Sequence, residues 1–88
     1  MTDSEKEILL IAQEECAEVT QAISKVFRFG IDAPHNGATN RERLTEETGD
    51  LFCMIQLMIE KGIIDITELE QAAANKKAKL QKWSNIFN

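Results

Sequence analysis

Four acidic side chains lie at positions in this sequence where the apolar face of a helix is expected. The first two, Glu15 and Glu18, lie in the stretch AQEECAEVTQAISKV. At about 100° per residue, Glu15 falls in the middle of the apolar stripe and Glu18 at its edge, whereas Glu14 faces solvent. A charge that faces a core is very costly unless it is paired or binds a metal. The spacing therefore predicts a chemical site on this helix.

The same arrangement recurs 32 residues later, in the segment LTEETGDLFCMIQLM. There Glu47 corresponds to Glu15 and Asp50 to Glu18, and apolar residues again flank the pair. A small residue separates the paired acids in both segments, and in the second it is Gly49. A glycine inside a helix costs about 1 kcal/mol relative to alanine. We interpret Gly49 as a site of close packing, with a tolerated accident as the alternative.

If the two helices pack antiparallel, the four carboxylates converge on one small volume. Two carboxylates roughly 5 Å apart repel by about 3 kcal/mol at an effective dielectric of 20, so four of them require cations or protons. Oxygen-only ligands favour a hard ion, and Mg²⁺, with Mn²⁺ as its substitute, fits better than zinc. A di-iron bundle would need Glu-x-x-His motifs on two helices, and the one histidine, His35, is in a loop. The alternative without a metal is that the acids pair with Lys or Arg or face solvent.

At these residues the sequence resembles a known family. The pattern Glu15-x-x-Glu18, 28 intervening residues, then Glu47-x-x-Asp50 is similar to the ExxE…ExxD signature of the MazG-like, all-α nucleoside triphosphate pyrophosphohydrolases. The segments EECAEVTQAI and LTEETGDLF resemble that family's usual sequences around the motif, and the resemblance extends from about residue 8 to residue 83. It implies Mg²⁺-dependent hydrolysis of a nucleoside or deoxynucleoside triphosphate to the monophosphate and pyrophosphate in a homo-oligomer. The four acids would then be the catalytic residues and metal ligands, and any of them could be the base. At 88 residues the chain has little room for the fourth helix of many relatives.

A triphosphate substrate also needs cationic partners. Lys25 and Arg28 follow the first acidic pair on the same predicted helix, and ANKKAKLQKW supplies Lys76 and Lys79. Asn75 resembles a polar position that family members use near the nucleotide. Each of these side chains could instead be a solvated surface residue. The aromatic residues could stack on a base, although core packing is the favoured role for them: Phe27, Phe29 and Trp83.

Three helices must position these side chains, and their boundaries can be predicted from capping signals. Ser4 with Glu7 forms a capping box for a first helix that runs to Phe29 and stops at Gly30. The segment IDAPHNGATN is a loop, and no strand pattern is present. Thr39 with Glu42 caps a second helix that continues to Lys61 and ends at Gly62. Asp65 with Glu68 caps a third, from about Ile66 to Trp83, whose apolar side carries Ile66, Leu69, Ala73, Leu80 and Trp83.

The second helix also carries apolar residues on the side opposite its acids, namely Phe52, Cys53 and Ile59. A helix that is apolar nearly all round is a buried helix, and three helices cannot easily surround it. A chain of 88 residues also buries only a modest fraction of its surface. We therefore expect one all-α domain over residues 1–88, a helical bundle of three main helices completed in a homodimer or homotetramer. The alternative is that Phe52 and Ile59 only touch the third helix.

Charge and composition exclude several other classes of function. A formal charge of −5 argues against nucleic-acid polymers as partners, because phosphate backbones are bound by clustered Lys and Arg. Two cysteines without a CxxC motif read as buried or idle thiols in a reducing compartment. The polar N-terminus and the short apolar run 51–59 predict no leader and no membrane span, and hence a cytoplasmic protein. Besides the hydrolase, a non-catalytic regulatory bundle and a carboxylate-bridged metal store remain as alternatives.

Overall fold

Three helices make up most of the chain, as the sequence predicts. The computed structural model describes all 88 residues. The first helix, α1, spans Asp3–Phe29, α2 spans Asn40–Glu60, and α3 spans Ile66–Trp83. The all-α class is therefore confirmed, with one small addition between α1 and α2.

The first helix begins two residues earlier than predicted. Its N-cap is Thr2, whose hydroxyl accepts a hydrogen bond from the Glu5 backbone N–H at 3.1 Å. The predicted Ser4 cap is wrong, because Thr2 offers the same hydroxyl and lengthens the helix by two residues. The C-terminal end is as predicted: Gly30 has φ of 99° and closes the helix by donating to the Val26 carbonyl.

The segment that follows α1 contains a β-hairpin, which corrects the prediction of a plain loop without strands. Strand β1, Pro34–His35, pairs antiparallel with β2, Ala38–Thr39. The two residues between the strands, Asn36 and Gly37, have φ of 50° and 84°. Asn-Gly adopts such positive angles at low cost and is the strongest short signal for a tight hairpin. The hairpin feeds directly into α2.

The predicted start of α2 is confirmed, and its end is one residue early. The Thr39 hydroxyl accepts from the Glu42 N–H at 3.1 Å, and the Glu42 carboxylate accepts from the Thr39 N–H, so the capping box is complete. The helix ends at Glu60, with Lys61 as its cap. This early stop leaves a short turn through Gly62, whose φ is 73°.

The core lies where the N-terminal half of α1 packs against the C-terminal half of α2. Ile8, Ala12 and Met54 form a buried apolar cluster. Four further apolar side chains pack partly buried against it: Ile11, Leu57, Met58 and Ile63. The two helices are thus antiparallel neighbours, as a helical hairpin requires.

The third helix has the predicted limits and cap but buries nothing within the chain. The Asp65 carboxylate accepts from the Glu68 N–H at 3.1 Å. No α3 residue is buried, and Trp83 is 77% exposed. Phe27 and Phe29 are likewise exposed, at 86% and 63%. The expectation that these three aromatic residues pack in a core is therefore wrong for the isolated chain.

The chain as a whole is a flat layer about one helix thick. Its principal extents are 41 × 36 × 14 Å, and a helix with its side chains is about 10–12 Å across. The radius of gyration is 15.8 Å, whereas a compact domain of this length has about 12 Å. Only five residues are buried. Both faces of the layer are open. The two cysteines are free and exposed, so of the two predicted alternatives, buried or idle thiols, burial is wrong.

Gly49 is not required by any close approach inside the chain. A Cβ atom placed on it would meet nothing within 4 Å. No contact within the chain therefore supports the interpretation of Gly49 as a site of close packing. Separately, no helix has the length and apolar character needed to cross a membrane.

Candidate active site

Three of the four predicted carboxylates meet between α1 and α2. One ligand oxygen each from Glu15, Glu47 and Asp50 lies within 4.8 Å of the others. Glu15 and Glu47 are half-buried and Asp50 is exposed. The helical phase explains this, because Glu15 lies on the same face as buried Ile8 while neighbouring Glu14 is exposed. The cluster is open to solvent on one side and could hold a metal ion.

The fourth acid, Glu18, stands beside this group. It is exposed and is not one of the three carboxylates whose oxygens converge. It lines a small cavity of about 80 Å³ that Glu47 also lines. The structure therefore brings Glu18 to the edge of the acidic cluster, next to a space that a substrate atom or water can enter.

The carboxylates act on one another electrostatically. Burial raises the pKa of Glu15, and the nearby charges of Asp50, Glu18 and Glu14 raise it further. Burial also raises the pKa of Glu47, followed by the charges of Glu18, Asp50 and Glu15. Each raised pKa means that the charged form of the carboxylate is disfavoured in the folded chain. A bound cation would relieve this repulsion.

Two cationic side chains border the acids on the side of the hairpin. Lys25 and Arg43 both line the 80 Å³ cavity with Glu18 and Glu47. The Arg43 Nη2 donates to the His35 carbonyl at 2.5 Å. The Nε of Arg43 is buried and has no hydrogen-bond partner. A buried guanidinium donor without a partner is costly, and Arg43 carries this cost next to the carboxylates.

A buried amide completes this side of the site. Asn40 is 4% exposed, and its Nδ2 donates to the Gly30 carbonyl at 2.9 Å and to the Lys25 carbonyl at 3.4 Å. It ties the first turn of α2 to the end of α1 and so fixes the distance between the helices near the cavity.

Arg43 and Asn40 were not among the residues predicted from the sequence, although a signal for both was present. The offset of 32 residues that pairs Glu47 with Glu15 also pairs Asn40 with Ile8 and Arg43 with Ile11. Polar residues therefore occupy two positions of α2 that face α1, where the matching positions of α1 are apolar.

Of the predicted substrate contacts, only Lys25 lies beside the carboxylates. Arg28 is exposed, with its guanidinium carbon 5.1 Å from the centroid of the Phe29 ring. Asn75 accepts a hydrogen bond from Gln71 at 3.0 Å within α3, and Lys76 and Lys79 are exposed on the same helix. None of these four residues lines the 80 Å³ cavity beside the acids. For the three on α3, the reason is that α3 packs only sparsely on α1 and α2.

The largest concavity of the chain is not at the acids. It measures about 640 Å³, lies at the junction of α2 and α3, and contains none of the four carboxylates. Its lining is mainly aliphatic, with Ile59, Ile63, Ile64, Ile66 and Leu69. This composition suits apolar packing, whereas the smaller cavity beside the acids carries the groups that can do chemistry.

Comparison with known protein families gives one match. The family described as "MazG nucleotide pyrophosphohydrolase domain" matches residues 3–84. Comparisons with curated proteins and with solved structures gave no significant match. The matched range includes all four carboxylates and the cavity beside them.

Proposed function

This chain belongs to the MazG nucleotide pyrophosphohydrolase family, and we propose that it uses Mg²⁺ to hydrolyse a nucleoside or deoxynucleoside triphosphate to the monophosphate and pyrophosphate. The observation that carries the proposal is the meeting of Glu15, Glu47 and Asp50 between two helices, with oxygens within 4.8 Å of one another. Family membership supports the reaction class, and the carboxylate cluster is where we propose that the reaction occurs.

The donor set fits a hard divalent ion. All donors are carboxylate oxygens, with no histidine or cysteine in the group, and Mg²⁺ commonly sits between one or two carboxylates and substrate phosphates. Mn²⁺ has the same preference for oxygen. We therefore assign Glu15, Glu47 and Asp50, with Glu18 at their edge, as the residues that would hold it. The bound ion would neutralise charge on the phosphate oxygens.

The side chains around the ion site would orient the reactants. Phosphoryl transfer is mostly positioning and charge stabilisation. Glu18 lies outside the group of three and lines the cavity, so it is our candidate for accepting the proton of the attacking water. The water oxygen would bond to the α-phosphorus while the bond to the bridging oxygen breaks and pyrophosphate leaves. Lys25 and Arg43 line the same cavity and would bind the phosphate oxygens.

We also propose that the active form is a homo-oligomer, a dimer or a tetramer. The accessible surface is 6814 Å², against about 5,200 Å² for a compact monomer of this size. The excess exceeds the roughly 800 Å² per partner that a standard interface buries. The outer side of α2 carries a shallow groove lined by Leu44, Thr45, Thr48, Gly49 and Phe52. The open space beside Gly49 would let a second helix approach closely.

In such an assembly α3 would gain the partner it lacks in one chain. The proposed substrate contacts Asn75, Lys76 and Lys79 would then reach a triphosphate from α3 of a second subunit. Arg28 would stand at the rim beside Phe29. The positive charge of the α3 lysines would complement the negative charge of the acidic cleft on the other subunit.

One assay tests the proposed reaction. Pyrophosphate release is measured for each nucleoside and deoxynucleoside triphosphate with Mg²⁺ and after its removal by a chelator. We expect hydrolysis of at least one of them, with loss on chelation and recovery with Mn²⁺. Glu47→Gln should abolish the activity, whereas Glu46→Gln, an exposed neighbour, should retain it. Failure to release pyrophosphate from any triphosphate with either metal would refute the proposal.

The assembly is tested separately. Light scattering at micromolar concentration should give a mass of two or four chains. Phe52→Asp, which places a charge at a side chain that is now 57% exposed, should dissociate the assembly because a buried unpaired charge is costly. A monomeric wild-type mass would refute this part alone.

A further inference from the structure

Another cavity, of about 350 Å³, lies between the end of α1 and the hairpin. Six residues line it: Lys25, Phe29, Ala33, Pro34, His35 and Asn40. Its volume is within the range of about 300–1,000 Å³ that small-molecule sites occupy. The proposed hydrolysis uses the carboxylates and cations next to it but gives this cavity no role.

The cavity adjoins the acidic site. Lys25 and Asn40 line both it and the 80 Å³ cavity that contains Glu18, Arg43 and Glu47. A ligand that occupied both would have an anionic, metal-binding end beside the carboxylates and its other end at the hairpin. The two shared residues, Lys25 and Asn40, lie where the two cavities meet.

The walls at the hairpin end offer flat ring surfaces. Phe29 is 63% exposed, and Pro34 and His35 of strand β1 line the same space. An aromatic side chain in this position can stack on any nucleobase, because every base has a π-face. The guanidinium of Arg28, 5.1 Å from the Phe29 ring centroid, is within the range of a cation–π interaction and holds a positive charge beside the ring.

Asn40 supplies a fixed polar group between the ring surfaces and the acids. Its Nδ2 is engaged by the carbonyls of Gly30 and Lys25, which sets the orientation of the amide. The side-chain oxygen is then left as an acceptor. An acceptor held in one orientation favours a ligand that offers a donor, such as a sugar hydroxyl or an exocyclic amino group.

The hairpin wall is held in place by the same residue that borders the acids. The Arg43 Nη2 donates to the His35 carbonyl at 2.5 Å and to the Asn36 carbonyl at 3.5 Å. Arg43 lies one helical turn before Glu47 on α2. The ring-lined wall and the carboxylate are therefore positioned by one helix.

From these observations we infer that the hairpin cavity binds the nucleoside part of the substrate. The base stacks on Phe29, the sugar lies next to Asn40, and the phosphates pass Lys25 and Arg43 towards the carboxylates. This inference rests on the proposed function and adds to it the residues that hold the base.

The test separates binding of the nucleoside from binding of phosphate. Calorimetry with Mg²⁺ measures the affinity for two ligands: the α,β-imido analogue of the triphosphate that wild type hydrolyses best, and inorganic tripolyphosphate. Phe29→Ala should weaken binding of the nucleotide analogue by about 5- to 100-fold, the range expected for a lost stacking contact. Its affinity for tripolyphosphate should stay within twofold of wild type. Phe29→Trp, which keeps a stacking surface, should retain the affinity for both ligands.

The matched control is Phe27→Ala, which removes an 86% exposed ring two residues away that lines neither cavity. It should leave both affinities unchanged, and melting temperature and mass are checked for every variant. Equal weakening of both ligands in Phe29→Ala, or no weakening of the nucleotide analogue, overturns the inference while wild-type hydrolysis upholds the proposed function. If wild type hydrolyses no triphosphate, the proposed function fails and the inference fails with it.

Discussion

The interface between α1 and α2 has an apolar end and a charged end. At the apolar end Ile8, Ala12 and Met54 are buried together. Towards the other end the facing positions carry Glu15 and Glu47, followed by the Lys25, Asn40 and Arg43 side of the cavity. Both ends use the same helical faces at the same spacing. The difference teaches that the apolar end serves stability and the charged end serves chemistry, so we expect a change at the apolar end to alter stability and leave the chemistry intact.

The largest expected effect removes the function of the charged end. Glu15→Gln keeps shape and hydrogen-bonding capacity but removes a metal ligand. We expect turnover to fall by more than about 100-fold, beyond what the loss of a metal's outer-shell partner costs. The same change should raise the melting temperature of the metal-free protein, because repulsion from Asp50 and Glu18 is relieved. Pyrophosphate release and thermal melting measure the two effects.

The adjacent residue is the control for this prediction. Glu14 is chemically identical and exposed, so Glu14→Gln should keep activity within about twofold, as expected for a surface change. Equal loss of turnover in the two variants would show that the helical phase is not what selects Glu15.

The second prediction concerns the apolar end. Met54 is 7% exposed, and Met54→Ala should lower the free energy of unfolding by about 2–5 kcal/mol through lost burial and a residual cavity. Activity per folded enzyme, measured below the melting temperature, should change little. Met54→Leu conserves volume and should cost less than about 1.5 kcal/mol. A large loss of turnover in folded Met54→Ala would mean that the two ends are coupled.

The third prediction is that bound metal raises the stability of the folded state through the carboxylates of the charged end. Mg²⁺ at about 100 times its dissociation constant should stabilise the folded state by about 2.7 kcal/mol. Melting is compared between Mg²⁺ and NaCl at matched ionic strength in wild type and in Glu15→Gln. The difference between the two salts should be present in wild type and largely absent in the variant. An equal shift by both salts would argue for general screening in place of a specific site.

The smallest effect is the dependence of stability on pH. Burial and neighbouring carboxylates raise the pKa of Glu15 and Glu47 above the ordinary value of 4.5. The folded metal-free chain therefore binds protons more tightly than the unfolded chain, and this stabilisation is full below 4.5 and is lost as pH rises through the raised values. We expect the metal-free melting temperature to rise as pH falls from about 7 to about 5.

Two comparisons check that Glu15 and Glu47 cause this dependence on pH. In Glu15→Gln the rise should be smaller, because one of the two titrating groups is gone. With Mg²⁺ bound the trend should reverse, since protons compete with the metal for the carboxylates. The Asp32–Arg41 ion pair, at 3.0 Å, lowers the pKa of Asp32 below 3.8. The stability that this pair contributes is present above 3.8 and is lost only as the pH falls through the lowered pKa, so it does not alter the trend between about 7 and about 5.

The features predicted from sequence are those set by local rules. The helical phase identified Glu15 and Glu47, because the angle between successive side chains does not depend on the rest of the fold. The Thr39–Glu42 box and Gly30 fixed helix ends within one residue. The start of α1 was misassigned because Thr2 and Ser4 carry the same capping group, and sequence alone does not rank them.

The features that were missed depend on how elements meet. The hairpin could have been predicted from Asn36-Gly37, which is a strong turn signal. It was missed because strands of two residues give no alternating pattern. The 32-residue offset places Arg43 and Asn40 on the face of α2 that meets α1, but it does not indicate their partners, the His35 and Gly30 carbonyls. The exposure of Trp83 and Phe27 was unpredictable for a related reason, because an apolar residue is buried only if some element covers it.

The local character of this chain also determines how fast it can form. Of its 69 backbone hydrogen bonds, 57 lie within single helices or the hairpin, and its core joins two helices that are consecutive in sequence. Chains dominated by such short-range interactions fold in microseconds to milliseconds. Subunit association is slower, taking milliseconds to minutes, and depends on concentration. In the proposed assembly, the time from unfolded chain to working enzyme is therefore set by how often two folded chains meet.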